Sequence, residues 1–475
     1  MILKNSTLFL KNSFNKNKPI VILVSIFILI QIPYLFRGLS GSHRWRQADT
    51  ASVARNYFQE SPNFFKPRID VRKDKSGITG MEFPIYNYTI SIIYRVFNKE
   101  WFGWGQILSL LFGIGCLIQL FKIIKQLNIN LDYKFTLAFA LFMSDLFFRY
   151  SARFMPETIA LFIGLCGNFF FFKWLTTKKI KDWFLSWLFL SISILIRPYM
   201  IALCLPVLVY VIDKIIKKNI DFWGIILGIF ILIPFYMWYF IYCPYLNDTF
   251  GLRYFFMGIS IKEGMLSYLS LDLWFGMIKK LFESVVGWLL LPFFIYGIVL
   301  VLKGIKKFSI IHISYIFGVP LIVFLGLPMV IGKHYIVHSY YLFAAIPAAS
   351  IFVAIALNNI LKKWRKSWIF LILIFLTFFA AHFYTYRKIK DLKELEKIIP
   401  RINGESTIKD LFVVENNGQP IYLYFINRKG WSIDKYSIHD SEKLKYYYNK
   451  GAKFALRKKK NQEREFELIK LKEDL

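Results

Sequence analysis

The chain has 475 residues, of which 56% are hydrophobic and only 19% are charged. The apolar residues lie in blocks near the ~20-residue length that spans a hydrocarbon core, which excludes an ordinary soluble enzyme. The formal net charge is +31, but Lys and Arg cluster in short connectors between the apolar blocks, a pattern typical of membrane orientation signals rather than of nucleic-acid binding. We therefore expect a polytopic α-helical membrane protein, and its richness in Phe, Ile, Lys and Asn suggests an AT-rich, bacterial genome.

The apolar blocks predict about eleven transmembrane helices. Their approximate bounds are 19–36, 103–121, 134–149, 156–175, 182–196, 198–215, 222–243, 284–303, 309–330, 340–360 and 367–384. Basic connectors fall on every second junction, which predicts a cytoplasmic N-terminus at residues 1–18 and, because the number of spans is odd, an extracytoplasmic C-terminus. The first block has no small-residue cleavage site after it, so we interpret it as a retained signal anchor.

The first loop, residues 37–101, is predicted to be extracytoplasmic. Its own basic residues argue for the opposite orientation, but long loops report weakly on topology, so we give them less weight. Within the loop, Phe83 to Phe97 is apolar and aromatic but too short to span the membrane. We expect this segment to form an interfacial helix.

The composition changes to charged and mixed beyond the last apolar block. We therefore predict a transmembrane domain at 19–385 and a small α+β extracytoplasmic domain at 386–475. Within the latter, a helix is predicted from Arg387 to Ile399, and strands at Leu411 to Glu415 and at Pro420 to Asn427.

A dense polar cluster follows the first predicted span. A reaction that takes a sugar from a lipid phosphate needs a carboxylate to accept the proton of the acceptor and cations to hold the leaving phosphate. Asp49 is a candidate for the carboxylate, and Glu82 is a second one. The arginines of the loop that could bind the donor are Arg44, Arg46 and Arg55. Asp49 could instead neutralise these arginines or cap a helix, and Glu82 could be an ordinary acid at a helix N-terminus.

Further candidates lie at the ends of later spans that are predicted to face outside. Arg153 and Glu157 flank the start of an apolar block, where an acid after a proline is also ordinary helix-start chemistry. Arg197 stands between two apolar blocks, where it could meet a phosphate or extend to the interface. His338 and Tyr341 could orient a sugar or phosphate, although a plain aromatic belt explains the tyrosine equally well.

These segments resemble the GT-C membrane glycosyltransferases, in particular the branch of the protein O-mannosyltransferases and the lipid A aminoarabinose transferase. The resemblance rests on the stretches from His43 to Ala51 (HRWRQADTA), Gly80 to Tyr88 (GMEFPIYNY), Ala152 to Glu157, Ile196 to Pro198 and Tyr340 to Leu342. It covers roughly residues 15–385 and does not extend to the C-terminal region.

The resemblance implies a polyprenyl-phosphate-linked sugar donor, an inverting displacement with Asp49 as general base, and Arg197 with its neighbours on the leaving phosphate. Thr50 stands where many relatives carry a second acid, so that role passes to Glu82 or lapses. We expect no metal and no other cofactor, a location in the inner or plasma membrane, and a lipid, a polysaccharide or a protein as acceptor.

Two other functional classes remain open. A polysaccharide polymerase or ligase of the cell envelope is also polytopic, but such proteins usually place their key loop late in the chain. A flippase or transporter would carry charged residues inside several spans and broken helices in paired halves. Here the carboxylates gather at one predicted face, which favours the glycosyltransferase.

Overall fold

The structure is a computed structural model, and it describes residues 2–41, 43–219, 221–253, 259–332, 334–364, 368–383, 390–459 and 462–472. The chain divides into two compact units. The first unit comprises Met1–Pro33, Ile107–Tyr236 and Met257–His382. The second comprises Tyr34–Gln106, Met237–Phe256 and Phe383–Leu475. Each unit therefore combines segments that are distant in the sequence.

The first unit is helical throughout its described elements. The helices that lie in it or enter it are Ile2–Leu35, Gly103–Gln126, Phe135–Phe142, Asp145–Tyr150, Glu157–Thr177, Ile180–Ile196, Pro198–Cys204, Leu205–Ile216, Phe222–Phe230, Leu232–Tyr236, Ile261–Ser267, Leu271–Lys280, Leu281–Val286, Trp288–Leu290, Leu291–Lys303, Ile305–Lys307, Ile310–Ile313, Ser314–Gly318, Val319–Leu321, Ile322–Gly326, Pro328–Ile331, His334–Val337, Ser339–Ala345, Ile346–Lys363 and Trp368–Phe383. Several short helices run on directly from one another, so they form longer rods.

Seven of these rods are long and apolar enough to cross a membrane within the described part of the chain. They are Lys18–Leu35, Gly103–Gln126, Glu157–Thr177, Pro198–Ile216, Phe222–Phe250, Ile310–Ile331 and Ser339–Lys363. An eighth results if Leu271–Val286 and Trp288–Lys303, which meet at 84°, form one broken span. The polytopic helical architecture is thus confirmed, whereas the count of eleven is not.

Three predicted spans are missing from this count. One of them, predicted at 367–384, is described only as the 16-residue helix Trp368–Phe383. The block predicted at 134–149 is interrupted at Ser144, whose extended backbone (φ −65°, ψ 117°) separates two short helices. The block predicted at 182–196 forms the helix Ile180–Ile196, which has only 17 residues. A 17-residue helix rises about 26 Å, a little less than a hydrocarbon core of about 30 Å.

Two helices of the first unit, Glu157–Thr177 and Ile180–Ile196, form an antiparallel hairpin. Only two residues separate the two helices, so the chain reverses direction tightly and the helices run side by side. The Ser193 hydroxyl on the second helix donates a hydrogen bond to the Ala160 carbonyl on the first, at 2.8 Å. The start of the first helix therefore lies beside the end of the second.

The second unit contains the first loop, part of a later helical rod and the C-terminal region. Its helices are Arg44–Gln59, Ile85–Val96, Met237–Tyr242, Cys243–Phe250, Lys390–Glu405, Ile421–Phe425, Ser437–His439 and Ser441–Asn449. The segment expected to be an interfacial helix forms the helix Ile85–Val96, in which Tyr86 and Ile90 are buried and Ile92 and Val96 are exposed. Its amphipathic character suits an interface, and its location there stays a prediction.

The C-terminal region forms one four-stranded sheet with packed helices, as expected for a small mixed domain. Its strands are β1 (Leu411–Glu415), β2 (Lys429–Ile433), β3 (Ala452–Lys459) and β4 (Gln462–Lys470). They stand in the order β2-β1-β3-β4, with β1 parallel to β2 and β3, and β4 antiparallel to β3. The core contains Val413, Trp431, Ile438, Leu444 and Ala455.

The strand prediction at Pro420 to Asn427 is wrong, because a short helix, Ile421–Phe425, occupies this segment. Four consecutive side chains from Ile421 are buried, and such a continuous apolar run does not distinguish strand from helix. The helix predicted from Arg387 is described from Lys390 to Glu405. Residues 387–389 and the predicted domain boundary at 385/386 lie outside the described residues.

Candidate active site

Asp49 lies on the helix Arg44–Gln59, which follows the first candidate span after a short connection. The helix begins at residue 44 with His43 in a left-handed conformation before it (φ 54°), so Asp49 stands in the second turn and does not cap the helix. Asp49 is only 1% exposed. Burial of a carboxylate costs free energy unless partners compensate its charge, so a buried acid in mid-helix is a candidate for a functional group.

Arg46 lies three residues before Asp49, which puts the two side chains on the same side of the helix. The Arg46 guanidinium forms an ion pair with Glu82. The Arg46 side chain is 6% exposed and that of Glu82 is 21% exposed. The structure thus pairs Glu82, the second candidate acid, with an arginine that stands three residues before Asp49 on the same helix.

The segment that carries Glu82 is held in place by the helical rod at 237–250. The Trp238 indole donates to the Met81 carbonyl at 2.8 Å, and the Asn247 amide oxygen accepts from the Gly80 N–H at 2.7 Å. A Cβ atom at Gly80 would lie 2.6 Å from the Cys243 carbonyl oxygen. Only glycine permits this close approach, so the position of Glu82 depends on it.

Arg55, a third candidate from the loop, is buried in an ion-pair network. Its side chain is 3% exposed and lies 2.5 Å from the carboxylate of Asp70, which is fully buried. Asp70 also accepts a hydrogen bond from the Asn56 amide at 2.9 Å. Arg55 donates to the carbonyl of Tyr424 at 2.7 Å, and its guanidinium lies 4.4 Å from the Tyr424 ring centroid.

Both members of this pair are charged at neutral pH. Burial by itself raises the pKa of the Asp70 carboxyl, but the attraction of Arg55 and Lys429 outweighs it, so the pKa lies below its ordinary value. Burial lowers the pKa of Arg55, and the attraction of Asp70 and Glu100 outweighs it, so the pKa is raised. The network therefore compensates its own desolvation.

Glu157 and Arg197 meet in the first unit. Their side chains lie 2.5 Å apart and are 0% and 2% exposed. Glu157 begins one helix of the hairpin directly after Pro156, and Arg197 ends the other with an extended backbone (φ −141°, ψ 106°). The antiparallel hairpin explains why residues forty positions apart form a pair.

Aromatic rings surround this pair. The Arg197 guanidinium lies 5.7 Å from the Tyr340 ring centroid. The His338 ring lies 5.4 Å from that of Tyr340 and 6.2 Å from that of Tyr341. The Tyr199 ring meets Tyr341 edge to face at 5.5 Å. A buried cation flanked by rings and hydroxyls can bind an anion and a sugar.

The ten candidate residues therefore fall into separate groups. The second unit contains Asp49, Arg46 and Glu82, together with Arg44, which is half-buried in the first turn of the Asp49 helix. Arg55 lies in the same unit and belongs to the buried network. The first unit contains Glu157, Arg197, His338 and Tyr341, and also Arg153, which is 2% exposed. Asp70, Tyr199 and Asn247 were missed by the sequence analysis. Tyr199 follows Arg197-Pro198 directly, which could have indicated it. In the described ranges no group of three or more His, Cys, Asp or Glu residues is arranged to hold a metal ion.

Residues 81–238 match the family model of dolichyl-phosphate-mannose-protein mannosyltransferases. No curated protein sequence matches the chain.

Solved structures share the fold at low sequence identity. ArnT from Cupriavidus metallidurans in the apo state is 12% identical, covers 93% of each chain and has a TM-score of 0.62. ArnT from Cupriavidus metallidurans bound to undecaprenyl phosphate is 13% identical, with 94% of each chain covered and a TM-score of 0.59. The archaeal oligosaccharyltransferase AglB from Archaeoglobus fulgidus, in complex with an inhibitory peptide and a dolichol-phosphate, is 10% identical over 94% of this chain and 70% of its own, with a TM-score of 0.57. The chain thus shares the fold of these proteins over more than nine-tenths of its length, and its residues 81–238 are similar to the mannosyltransferase family.

Proposed function

We propose that the protein transfers a sugar from a polyprenyl-phosphate-linked donor to an extracytoplasmic lipid, polysaccharide or protein, with Asp49 as the general base. The observation that carries the proposal is the burial of Asp49, 1% exposed, beside Arg46 and its partner Glu82 in a GT-C fold. One solved ArnT structure contains undecaprenyl phosphate and the AglB structure contains a dolichol-phosphate, which supports this class of donor.

The reaction is a direct displacement at the anomeric carbon. The acceptor oxygen attacks that carbon while Asp49 takes the acceptor's proton, and the bond to the phosphate oxygen breaks. The lipid phosphate leaves with the electron pair of that bond, and the anomeric configuration inverts. Glu82 holds the Arg46 guanidinium through their ion pair, and so keeps a cation beside the base.

The leaving phosphate requires cations, and we assign the buried Arg197 to it. Its pair with Glu157 fixes the guanidinium, and a guanidinium has five N–H donors, so it can serve more than one acceptor. Tyr341 and His338 contribute a hydroxyl and an imidazole in the same group. Fixed donors of this kind stabilise charge as it develops in the transition state.

The decisive experiment measures sugar transfer from a panel of radiolabelled polyprenyl-phosphate donors in membranes that contain the protein. We expect donor-dependent transfer by the native chain and a loss of about 10²- to 10⁴-fold in Asp49→Asn, because a positioned base contributes a factor of this size. Asp248→Asn is the matched control, since Asp248 is exposed and pairs with the exposed Arg253, and we expect it to keep full activity.

Either of two results would overturn the proposal. If Asp49→Asn transfers sugar at the native rate, with equal amounts of protein inserted in the membrane, Asp49 is not the general base. If the native chain transfers no sugar from any donor of the panel, the proposed class of donor is wrong. The protein would then be a polymerase, a ligase or a transporter.

The orientation of the protein belongs to the same proposal. We place the N-terminus in the cytoplasm and the first loop and C-terminal domain outside the plasma membrane, because basic connectors alternate along the chain. A cysteine substituted for Tyr436, which is 86% exposed on the C-terminal domain, should react with a membrane-impermeant maleimide on intact cells. Labelling only after the membrane has been opened would reverse the orientation.

A further inference from the structure

The helix that carries Asp49 is fastened at its C-terminal end. Glu60 follows this helix directly and accepts two hydrogen bonds from the Arg72 guanidinium, both at 2.9 Å. The Lys429 ammonium, on strand β2 of the C-terminal sheet, lies 3.6 Å from the Glu60 carboxylate. Lys429 is only 5% exposed. The end of the helix is thus bound to the loop and to the sheet.

Strand β2 is an edge strand, and the first loop covers its outer side. Gly430 of β2 donates to the Asp70 carbonyl at 3.1 Å and accepts from the Lys73 N–H at 2.9 Å. A Cβ atom at Gly430 would lie 2.0 Å from the Phe412 carbonyl oxygen. These backbone bonds pair groups that an edge strand leaves unsatisfied, and they join the loop to the sheet.

Arg55 extends the connection along the helix. It contacts Asp70 in the loop and Tyr424 in the C-terminal region. Arg55 stands six residues after Asp49 on the same 16-residue helix. Six residues correspond to about 9 Å along the axis and about 240° around it, so Arg55 leaves the helix on a different side from Asp49 and Arg46.

We propose that Arg55, Asp70 and Lys429, here called the clamp, are positioning residues that fix the Asp49 helix to the C-terminal sheet and so set the place of the base. This inference rests on the proposed function, in which Asp49 takes the acceptor's proton. It gives the C-terminal domain a role as the support of the active-site helix. It also gives Arg55 a structural contact in place of the donor phosphate contact expected from the sequence.

The clamp should act on the chemical step and not on donor binding. A displacement of about 1 Å at a catalytic group can reduce the rate by up to about 10²-fold. In Lys429→Met we expect kcat to fall by about 10-fold, while KM for the donor stays unchanged, because Lys429 belongs to none of the groups assigned to the donor. Lys429→Arg, which retains the charge, should recover most of kcat. Lys445→Met, at an exposed lysine of the same domain, is the matched control and should change neither constant.

A second readout does not depend on activity. Amide hydrogen exchange over residues 44–59 should be faster in Lys429→Met than in the native full-length protein and in Lys445→Met, because opening of the helix becomes easier. Unchanged exchange together with unchanged kcat would overturn the clamp. If the native chain transfers no sugar, the proposed function fails on its own, and the exchange measurement still decides whether the sheet supports this helix.

Discussion

Two buried ion pairs, Arg55–Asp70 and Glu157–Arg197, have almost the same internal geometry and different surroundings. In both, the closest nitrogen and oxygen lie 2.5 Å apart and the side chains are at most 3% exposed. Asp70 and Arg55 belong to a larger network whose ion pairs also include Glu60, Glu100, Arg68, Arg72 and Lys429. The Arg197 guanidinium instead lies 5.7 Å from the ring centroid of Tyr340, and that ring stacks on His338. A dense network of charges suits structural support, whereas a buried cation next to aromatic rings and hydroxyls suits the binding of a ligand.

The largest expected effect is that of removing Arg197. It tests whether the pair of Glu157 and Arg197 supports the fold or binds a ligand. Arg197→Met leaves a buried carboxylate without its cation, which should destabilise the protein by about 3–5 kcal/mol. The double variant Glu157→Leu/Arg197→Met should recover most of that stability, because an apolar pair of similar size avoids the desolvation of two charges. Transfer should remain lost in the double variant if Arg197 binds the donor phosphate. Thermal unfolding in detergent and transfer from the labelled donor measure the two quantities.

The exposed pair Asp248 and Arg253, 66% and 72% exposed, provides the control for this cycle. Its double variant should change stability by less than about 1 kcal/mol, because solvent screens exposed pairs. Recovery of both stability and transfer in Glu157→Leu/Arg197→Met would make this pair structural as well. The two buried pairs would then have the same role, and their different surroundings would not indicate different functions.

Local pattern was sufficient to select both residues of one pair of the comparison, but only one residue of the other. Glu157 after a proline and Arg197 before a proline mark the ends of adjacent helices, and two short-loop helices must be antiparallel neighbours. The sequence therefore indicated both residues, although it did not indicate that they pair with each other. Arg55 was indicated as a cation, but its acceptor at Tyr424 lies 369 residues away, and no local period reports such a contact.

The same distinction explains the outcomes elsewhere in the fold. Apolar length predicts spanning helices because a hydrocarbon core requires about 20 residues, yet the interruption at Ser144 depends on one residue's backbone. Asp49 could be selected because it lies in the polar cluster after the first predicted span, and Glu82 because it stands just before an apolar segment. Their arrangement could not be predicted, since the Met81 carbonyl is held by Trp238, 157 residues further along the chain.

The smallest expected effect concerns acid and Asp70. Because the pKa of Asp70 in the folded protein lies below its ordinary value of 3.8, the stability it contributes is fully present above that value and is lost as the pH falls through the folded pKa. Acidification from pH 5 towards pH 2.5 should therefore lower the stability of the native protein more than that of Asp70→Asn, because the variant has no carboxylate to protonate at this position. At pH 7, Asp70→Asn should be the less stable of the two. Thermal unfolding across this range measures both slopes, with Asp248→Asn expected to keep the native slope. Equal slopes in the native protein and Asp70→Asn would show that the network does not depend on the Asp70 charge. The clamp would then have to act through the contacts of Lys429 with Glu60 and of Arg55 with Tyr424.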